Sequence, residues 1–306
     1  MSGHLTGKNI AVTGAGNGIG RGIALACAAE GANVVVADYG VSLDGRDPSS
    51  EVADGVVAEI TAAGGTAVAV AGDVSKMEVG QQIIDTAVDN WGSIDGVVCV
   101  AGIVRERMLF NMSEEEFDDV VAVHLKGHFT LYRAASAVMR KQESGGSLVG
   151  FTSGAFVAST AQANYSAAKG GVVSLTRSAA FALRRYGINA NCIAPTAMTR
   201  MSENVPFEIE AGAPEDIAPL AVYLLSDAAR DITAQTYTCT GSRIAVWNQP
   251  VEVREMTANT DGVFTVDEIA ERLPVLIGHE EMPMFADLER RMKEMAEQKA
   301  AEEASS

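Results

Sequence analysis

The sequence predicts an α/β fold: a single doubly wound parallel sheet in three α/β/α layers, followed by a C-terminal extension. Three observations predict it. Short apolar runs alternate with longer amphipathic stretches along most of the 306 residues. The runs are nearly continuously apolar, as strands of a parallel sheet covered on both faces must be. A glycine cluster separates the first run from the first helical stretch, where a tight strand-to-helix turn belongs.

The elements follow in order. Strands are predicted at "NIAVTG" (9–14), "NVVVAD" (33–38), "TAVAVAGD" (66–73), "IDGVVCVAG" (94–102), "SLVGFTS" (147–153) and "INANCIAP" (188–195), with "YTCTGS" (237–242) as a seventh. Helices are predicted over 18–30, 51–63, 76–91, 114–140 and 164–186. The polar stretch "YGVSLDGRDPSS" (39–50) is a loop. These elements place a main domain over residues 1–244 and an extension over 245–306. In the extension "TVDEIAERL" (265–273) opens a helix with Thr265 as N-cap and Glu268 at the capping-box position. The charged, small-residue end "AEQKAAEEASS" is expected to fray.

Composition narrows the function classes. A net charge of −17 argues against nucleic acid and against an anionic membrane surface, which leaves a small-molecule substrate. Cys27, Cys99, Cys192 and Cys239 form no CxxC pair, so they read as reduced buried thiols, not as a zinc site or a disulfide framework, and no metal is expected. The start "MSGHLTGKNI" lacks an apolar signal core and no run reaches the length of a membrane span, so a cytoplasmic location is expected.

The glycine cluster "VTGAGNGIGRG" (12–22) carries the first chemistry. Gly14, Gly16, Gly18 and Gly20 remove side chains where a pyrophosphate would approach, and Asn17 and Ile19 lie among them at the helix N-terminus, whose free N–H groups favour an anion. With a strand before and a helix after, the cluster points to dinucleotide binding. Asp38 ends the second strand, where a carboxylate accepts bonds from adenosine ribose hydroxyls and repels a 2′-phosphate, which favours NAD over NADP; a turn-forming Asp is the alternative. Asp73 and Val74 follow the third strand and can meet the adenine edge, while an N-cap role near Ser75 is compatible with that.

"NYSAAK" carries the second. Tyr165 and Lys169 are four residues apart on a predicted helix, so they share a face. Alone, the pair reads as a ring packed on a lysine stem. The order TGxxxGIG at 13–20, Asp38, Asp73 and YxxxK at 165–169 resembles the short-chain dehydrogenase/reductase family from about residue 7 to 242. The resemblance implies a Rossmann fold and a nicotinamide cofactor, with Tyr165 as the acid–base group. It implies that Lys169 holds the phenol and the nicotinamide ribose. It implies that Ser153 bonds the substrate oxygen, with Thr152 as the alternative because Ser153 lies one residue closer to Tyr165 than the family pattern has it.

A free phenol titrates near ~10, so work near neutrality asks for a shift to ~7–8, worth roughly 4 kcal/mol, which Lys169 and the positive oxidised cofactor are expected to supply. Ala101 and Gly102 keep the backbone of the family's NNAG turn, although Cys99 and Val100 replace its asparagines. His124 stands where the family has a helix asparagine, either as a relay group or as a histidine satisfied by backbone. Pro195 and Thr199 resemble the segment that contacts nicotinamide, with Pro195-Thr196 in place of Pro-Gly.

Within the family, "AGIVRERMLFNMSEEEFDDVVAVHLKGHF", "QANYSAAK" and "NCIAPTAMTRM" resemble the (3R)-hydroxyacyl-CoA dehydrogenase domains of type 2 multifunctional enzymes. That implies an acyl-CoA thioester substrate, including one with a bulky or steroid-like acyl group. Arg105, Arg107, Lys126 and Arg200 are candidates for its phosphates, although solvated surface charge is the first reading of each. "MSENVPFEIEAG" (201–212) makes a short lid. Other readings are a hydroxysteroid or other alcohol dehydrogenase or 3-oxoacyl reductase on the same scaffold, and a dinucleotide-binding sensor without turnover. Family members pair the helices at 114–140 and 164–186 about a two-fold axis, which implies a homodimer or homotetramer; both helices carry apolar residues on more than one face.

Overall fold

A computed structural model describes residues 3–40, 49–197, 212–258 and 262–278, together with 282, 290, 293, 294 and 297. Two compact units divide the chain, Met1–Trp247 and Asn248–Ser306. In the first, eight strands form one sheet in the order β3-β2-β1-β4-β5-β6-β7-β8. They are β1 (Asn9–Thr13), β2 (Asn33–Asp38), β3 (Thr66–Ala71), β4 (Gly96–Cys99), β5 (Gly146–Phe151), β6 (Ile188–Pro195), β7 (Thr236–Thr240) and β8 (Arg243–Val246). All neighbours run parallel except β7 and β8, which form an antiparallel pair. Strand order reverses between β1 and β4, and at such a switch point a crevice opens beyond the carboxyl ends of the strands.

The apolar runs are explained by two cores. Ile10 and Val12 of β1 face one side with Val34 and Val36 of β2, against Ile23 and Cys27 of α1 (Gly18–Ala29) and Leu224 of α7 (Ala218–Leu225). Ala11, Val35, Val97 and Leu148 face the other, against Ile83 and Ile84 of α3 (Met77–Trp91) and Leu131 and Ala135 of α5 (Gly127–Met139). Alternate residues of each strand therefore serve opposite layers, and each fully buried aliphatic side chain contributes roughly 1.5–3 kcal/mol. α2 (Glu51–Ala62) and α6 (Ala163–Leu183) complete the layers.

Several elements differ from the prediction. β4 stops at Cys99, because the chain beyond it turns toward the glycine loop, where Val100 and Ala101 donate to Thr13 Oγ1 at 3.2 and 3.4 Å. The helix expected over 114–140 is α4 (Glu114–Val121), a π-turn over Ala122–Lys126, and α5. Ser113 starts α4 with a full capping box: its Oγ accepts from Glu116 N at 3.1 Å, and Glu116 Oε2 accepts from Ser113 N at 2.9 Å. The antiparallel β8 lies where the sequence predicts the start of the tail. Its last neighbour, Trp247, donates from Nε1 to Thr238 Oγ1 at 2.9 Å.

In the second unit α8 (Val266–Leu276) begins as predicted, with Thr265 Oγ1 accepting from Glu268 N at 3.1 Å. Most of the loop at 39–50, most of the lid at 201–212 and the charged C-terminal end lie outside the described residues. Cys27, Cys99, Cys192 and Cys239 are free and buried. Among the described residues no cluster of side chains is arranged to hold a metal, and no helix is long and apolar enough to cross a membrane.

Candidate active site

A cleft of about 420 Å³ opens at the carboxyl ends of β1, β2, β4, β5 and β6. Its volume falls in the ~300–1,000 Å³ range of ligand and cofactor sites. At one end are the glycine turn, through Gly14, Asn17, Gly18, Ile19 and Gly20, and then Asp38, Asp73 and Val74. At the other are Ala101, Gly102, His124, Tyr165, Lys169 and Pro195. The structure thus brings most of the predicted residues onto one wall. Gly16 stands behind it, donating from its backbone N to Asp38 Oδ2 at 2.8 Å. Thr199 and Arg200 lie outside the described residues.

The cofactor end is built for an anion. Gly18 has φ +53° and open space where a Cβ would stand, so the turn presents bare backbone. The Asn17 side chain does not cap α1, which leaves the first amides of the helix to a ligand. Asp38 Oδ1 accepts from Gly40 N at 2.6 Å, so this carboxylate both forms a turn and lines the cleft. With one backbone donor on each oxygen, it retains lone pairs for hydroxyl donors. Asp73 likewise serves two ends: Oδ1 accepts from Ser75 N at 2.9 Å while the residue lines the cleft.

The other end gathers three elements. Ser153 begins the turn after β5, its Oγ accepting from Ala155 N at 3.3 Å. Thr152 also lines the cleft, but it is buried and its Oγ1 is engaged, donating to Lys169 O at 2.9 Å. Of the two candidates only Ser153 acts on the Tyr165 phenol, whose pKa its side chain lowers. Lys169 is buried; its Nζ donates to Phe151 O at 2.6 Å and lies 5.4 Å from the Tyr165 ring centroid. The His124 ring stands perpendicular to that of Tyr165, centroids 5.1 Å apart.

Burial holds the Tyr165 phenol above its ordinary value, and Ser153 only partly opposes this. In the chain alone the Lys169 ammonium is bonded to a backbone carbonyl, and the expected lowering of the phenol needs the positive oxidised cofactor to act with it. Burial pulls Lys169 itself down to about 7, against the thiols of Cys192 and Cys99. His124 is pushed well below its usual range by burial and then by Lys169, against its bond to Ile103, so it is neutral. Its Nε2 lies 2.8 Å from Ile103 O and 3.2 Å from Ile103 N. The shorter contact makes Nε2 the donor and leaves Nδ1 a buried acceptor without a partner. The backbone contacts of Nε2 match the reading of His124 as a histidine satisfied by backbone, and Nδ1 stays free for another partner.

Some positioning residues were not legible. Asn164 is fully buried and sews the start of α6 to its surroundings, donating to Arg105 O at 2.9 Å and Glu116 O at 2.8 Å while accepting from Tyr165 N at 2.8 Å. Thr13 ties the Val100–Ala101 backbone to the glycine turn. Gly102 is required by His124, since a Cβ there would overlap the imidazole ring. The cations weighed for phosphates are partly engaged: Arg107 pairs with Glu116 at 2.8 Å and Arg105 with Asp119 at 3.3 Å.

Comparison with known proteins decides the family. A family model described as enoyl-(acyl carrier protein) reductase matches residues 14–241. The chain belongs to the short-chain dehydrogenase/reductase family. It is 42% identical over 271 residues to hydroxyacyl-CoA dehydrogenase ChsB1 of Mycobacterium tuberculosis, covering 83% of this chain and 84% of that one. It is 42% identical over 227 residues to peroxisomal multifunctional enzyme type 2 of Mus musculus, covering 74% of this chain but only 30% of that enzyme. A crystal structure of a short chain dehydrogenase from Mycobacterium avium superposes with a TM-score of 0.82 at 44% identity, over 92% of this chain and 98% of that one. This short-chain dehydrogenase/reductase is accordingly an oxidoreductase acting on CH–OH groups, and its fold implies a nicotinamide dinucleotide cofactor. The open glycine turn, the uncapped helix start and the free lone pairs of Asp38 fit that group.

Proposed function

We propose that the protein is an NAD-dependent dehydrogenase that oxidises (3R)-hydroxyacyl-CoA thioesters, bulky or steroid-like acyl groups included, to 3-oxoacyl-CoA. The observation that carries the reading is the convergence of Tyr165 and Lys169 at one end of a cleft whose other end is the glycine turn and Asp38, with Ser153 beside the Tyr165 phenol. The ChsB1 name supports the hydroxyacyl-CoA class. The Asp38 carboxylate supports NAD, since a 2′-phosphate beside it would meet like charge.

The bound cofactor supplies a hydride acceptor and a positive charge. Ser153 donates a hydrogen bond to the substrate oxygen, and the Tyr165 phenolate takes the hydroxyl proton as the alcohol carbon is oxidised. Lys169 keeps a cation beneath the phenol, in a pocket too dry for water to screen it. The unpartnered His124 Nδ1 accepts a proton-bearing neighbour from the cleft, which suits a relay group. Ala101, Gly102, Pro195 and Thr199 are assigned to the nicotinamide end.

We assign assembly to a homodimer or homotetramer through the α4–α5 and α6 faces, where Phe117, Phe129 and Phe181 stand exposed. The cytoplasmic location is kept, supported by four free thiols.

Initial rates test the reading. NAD with a (3R)-hydroxyacyl-CoA is expected to outrun both the free secondary alcohol and the NADP reaction. The NAD preference should reach at least about tenfold, or 1.4 kcal/mol, and Asp38→Ala should shrink it. Faster turnover of a free alcohol or hydroxysteroid would move the assignment to that class. No turnover with any of them would make the protein a dinucleotide-binding sensor.

A further inference from the structure

The end of β5 contains a gap in the sheet that two side chains fill. Thr152 donates from its backbone to Ile193 O of β6 at 2.8 Å. In a parallel ladder the polar groups of successive residues face opposite neighbours, so those of Phe151 face the β4 side. But β4 ends at Cys99, which pairs with Gly150, so no strand remains there to meet them. Phe151 O takes the Lys169 ammonium at 2.6 Å, and Phe151 N donates to His128 Nε2 at 3.1 Å. The other His128 nitrogen, Nδ1, lies 2.5 Å from His124 O. His124 sits in the π-turn, and its carbonyl accepts from the Gly127 amide as well as lying against the His128 ring.

His128 is only 1% exposed and both of its nitrogens are used. Its tautomer follows from its partners: Nε2 must accept from an amide, so Nδ1 carries the proton and donates to the carbonyl. Burial and then Lys169 push its pKa down to about 3, which keeps it neutral in that form at working pH. The ring therefore joins the backbone of the π-turn to the one residue whose carbonyl anchors Lys169.

We infer that His128 is a positioning residue for the reaction: by holding Phe151 in place of the missing strand, it sets the carbonyl that places Lys169 beneath Tyr165. The inference rests on the proposed dehydrogenase reading of Tyr165 and Lys169. His128 shares Phe151 with Lys169, one on the amide and one on the carbonyl, and it acts through that residue, without touching substrate.

The two bonds can be separated by substitution. His128→Gln can reach the Phe151 amide with its side-chain oxygen, and His128→Asn can reach only the His124 carbonyl. His128→Leu fills the space and makes neither bond. His128→Leu and His128→Asn are expected to lose at least tenfold in kcat with KM for the acyl-CoA changed less than twofold, and His128→Gln to recover to within threefold of the unmodified protein. In a Lys169→Met background, His128→Leu is expected to cost less than a further twofold, because its effect passes through Lys169. A residue that merely supports the core would cost the same factor in both backgrounds and would not be rescued by Gln.

15N NMR of the ligand-free protein is expected to show neutral His128 with the proton on Nδ1 between about pH 5 and 8. The opposite tautomer overturns the inference, whatever the kinetics. So does His128→Asn retaining more than half the unmodified kcat while Tyr165→Phe is inactive, and that result leaves the dehydrogenase reading standing. If Tyr165→Phe is as active as the unmodified protein, the dehydrogenase reading of the site fails, and the inference falls with it.

Discussion

At the scale of single residues, Tyr165 and Lys169 are coupled by placement yet stabilised by different partners. Ser153 lowers the phenol pKa, whereas the ammonium bonds the Phe151 carbonyl. Tyr165→Phe keeps the packing against His124 and removes the proton acceptor. It should cut kcat by ~10²–10⁴-fold and leave cofactor affinity nearly unchanged, as read by steady-state kinetics and cofactor titration. Lys169 makes a second, thermodynamic prediction. Its folded value of about 7 lies below the ordinary 10.5, so between those values the unfolded chain binds more protons than the folded one. Stability should therefore rise with pH through that window, and the full cost of the buried ammonium is present below about 7. Lys169→Met removes this cost. The thermal midpoint of the variant minus that of the unmodified protein should be more positive at about pH 6 than at about pH 9. A difference independent of pH would show that the ammonium is not buried. Helical spacing put Tyr165 and Lys169 on one face and the ordered motifs singled the pair out, but the partner of each group was not legible. Those partners are backbone atoms of a strand end and a serine whose register against Thr152 depends on where β5 stops.

At the scale of elements, the cleft depends on interruptions more than on regular structure. The apolar runs and the glycine turn were legible because a doubly covered strand and a strand-to-helix turn leave direct patterns in composition. The π-turn at Ala122–Lys126 leaves none: its residues read as a continuing helix, and only the fold shows that it places His124 against Tyr165. The same is true of the early end of β4, which makes room for Lys169 and His128 at Phe151. The close approach of Gly102 to His124 gives this arrangement a test. Gly102→Ala must displace the imidazole, because the added carbon would overlap the ring. Overpacking of this kind costs about 1–3 kcal/mol, which a urea midpoint can read. Replacing the imidazole by a smaller side chain should relieve it, so Gly102→Ala should cost less stability in a His124→Ala background than alone. Additive losses would show that the two residues do not meet.

At the scale of the whole molecule, one helix carries Tyr165, Lys169 and an exposed apolar ring. Tyr165 and Lys169 occupy the first turns of α6, and Phe181 near its other end is 91% exposed. An exposed phenylalanine is tolerable singly, but Phe129 of α5 and Phe117 of α4 are also uncovered in the isolated chain. Burying a ring of ~150 Å² contributes roughly 4 kcal/mol at 25 cal/mol/Å², and a two-fold contact uses each ring twice. The sequence shows the apolar residues of these helices but not the partner face, since an isologous contact needs only the one surface and leaves no second pattern to read. Phe181→Glu discriminates. In a monomer it replaces an exposed ring by a solvated carboxylate and should change stability by no more than about 0.5 kcal/mol. In an assembly paired through α6 it places two carboxylates in a contact that excludes water, which is far costlier than losing the ring alone. Light scattering at micromolar concentration should therefore find a dimer or tetramer for the unmodified chain and a monomer for Phe181→Glu, with the variant's thermal midpoint no longer rising with protein concentration. If the unmodified chain scatters as a monomer, Phe181 is an isolated surface ring and the α6 pairing is wrong.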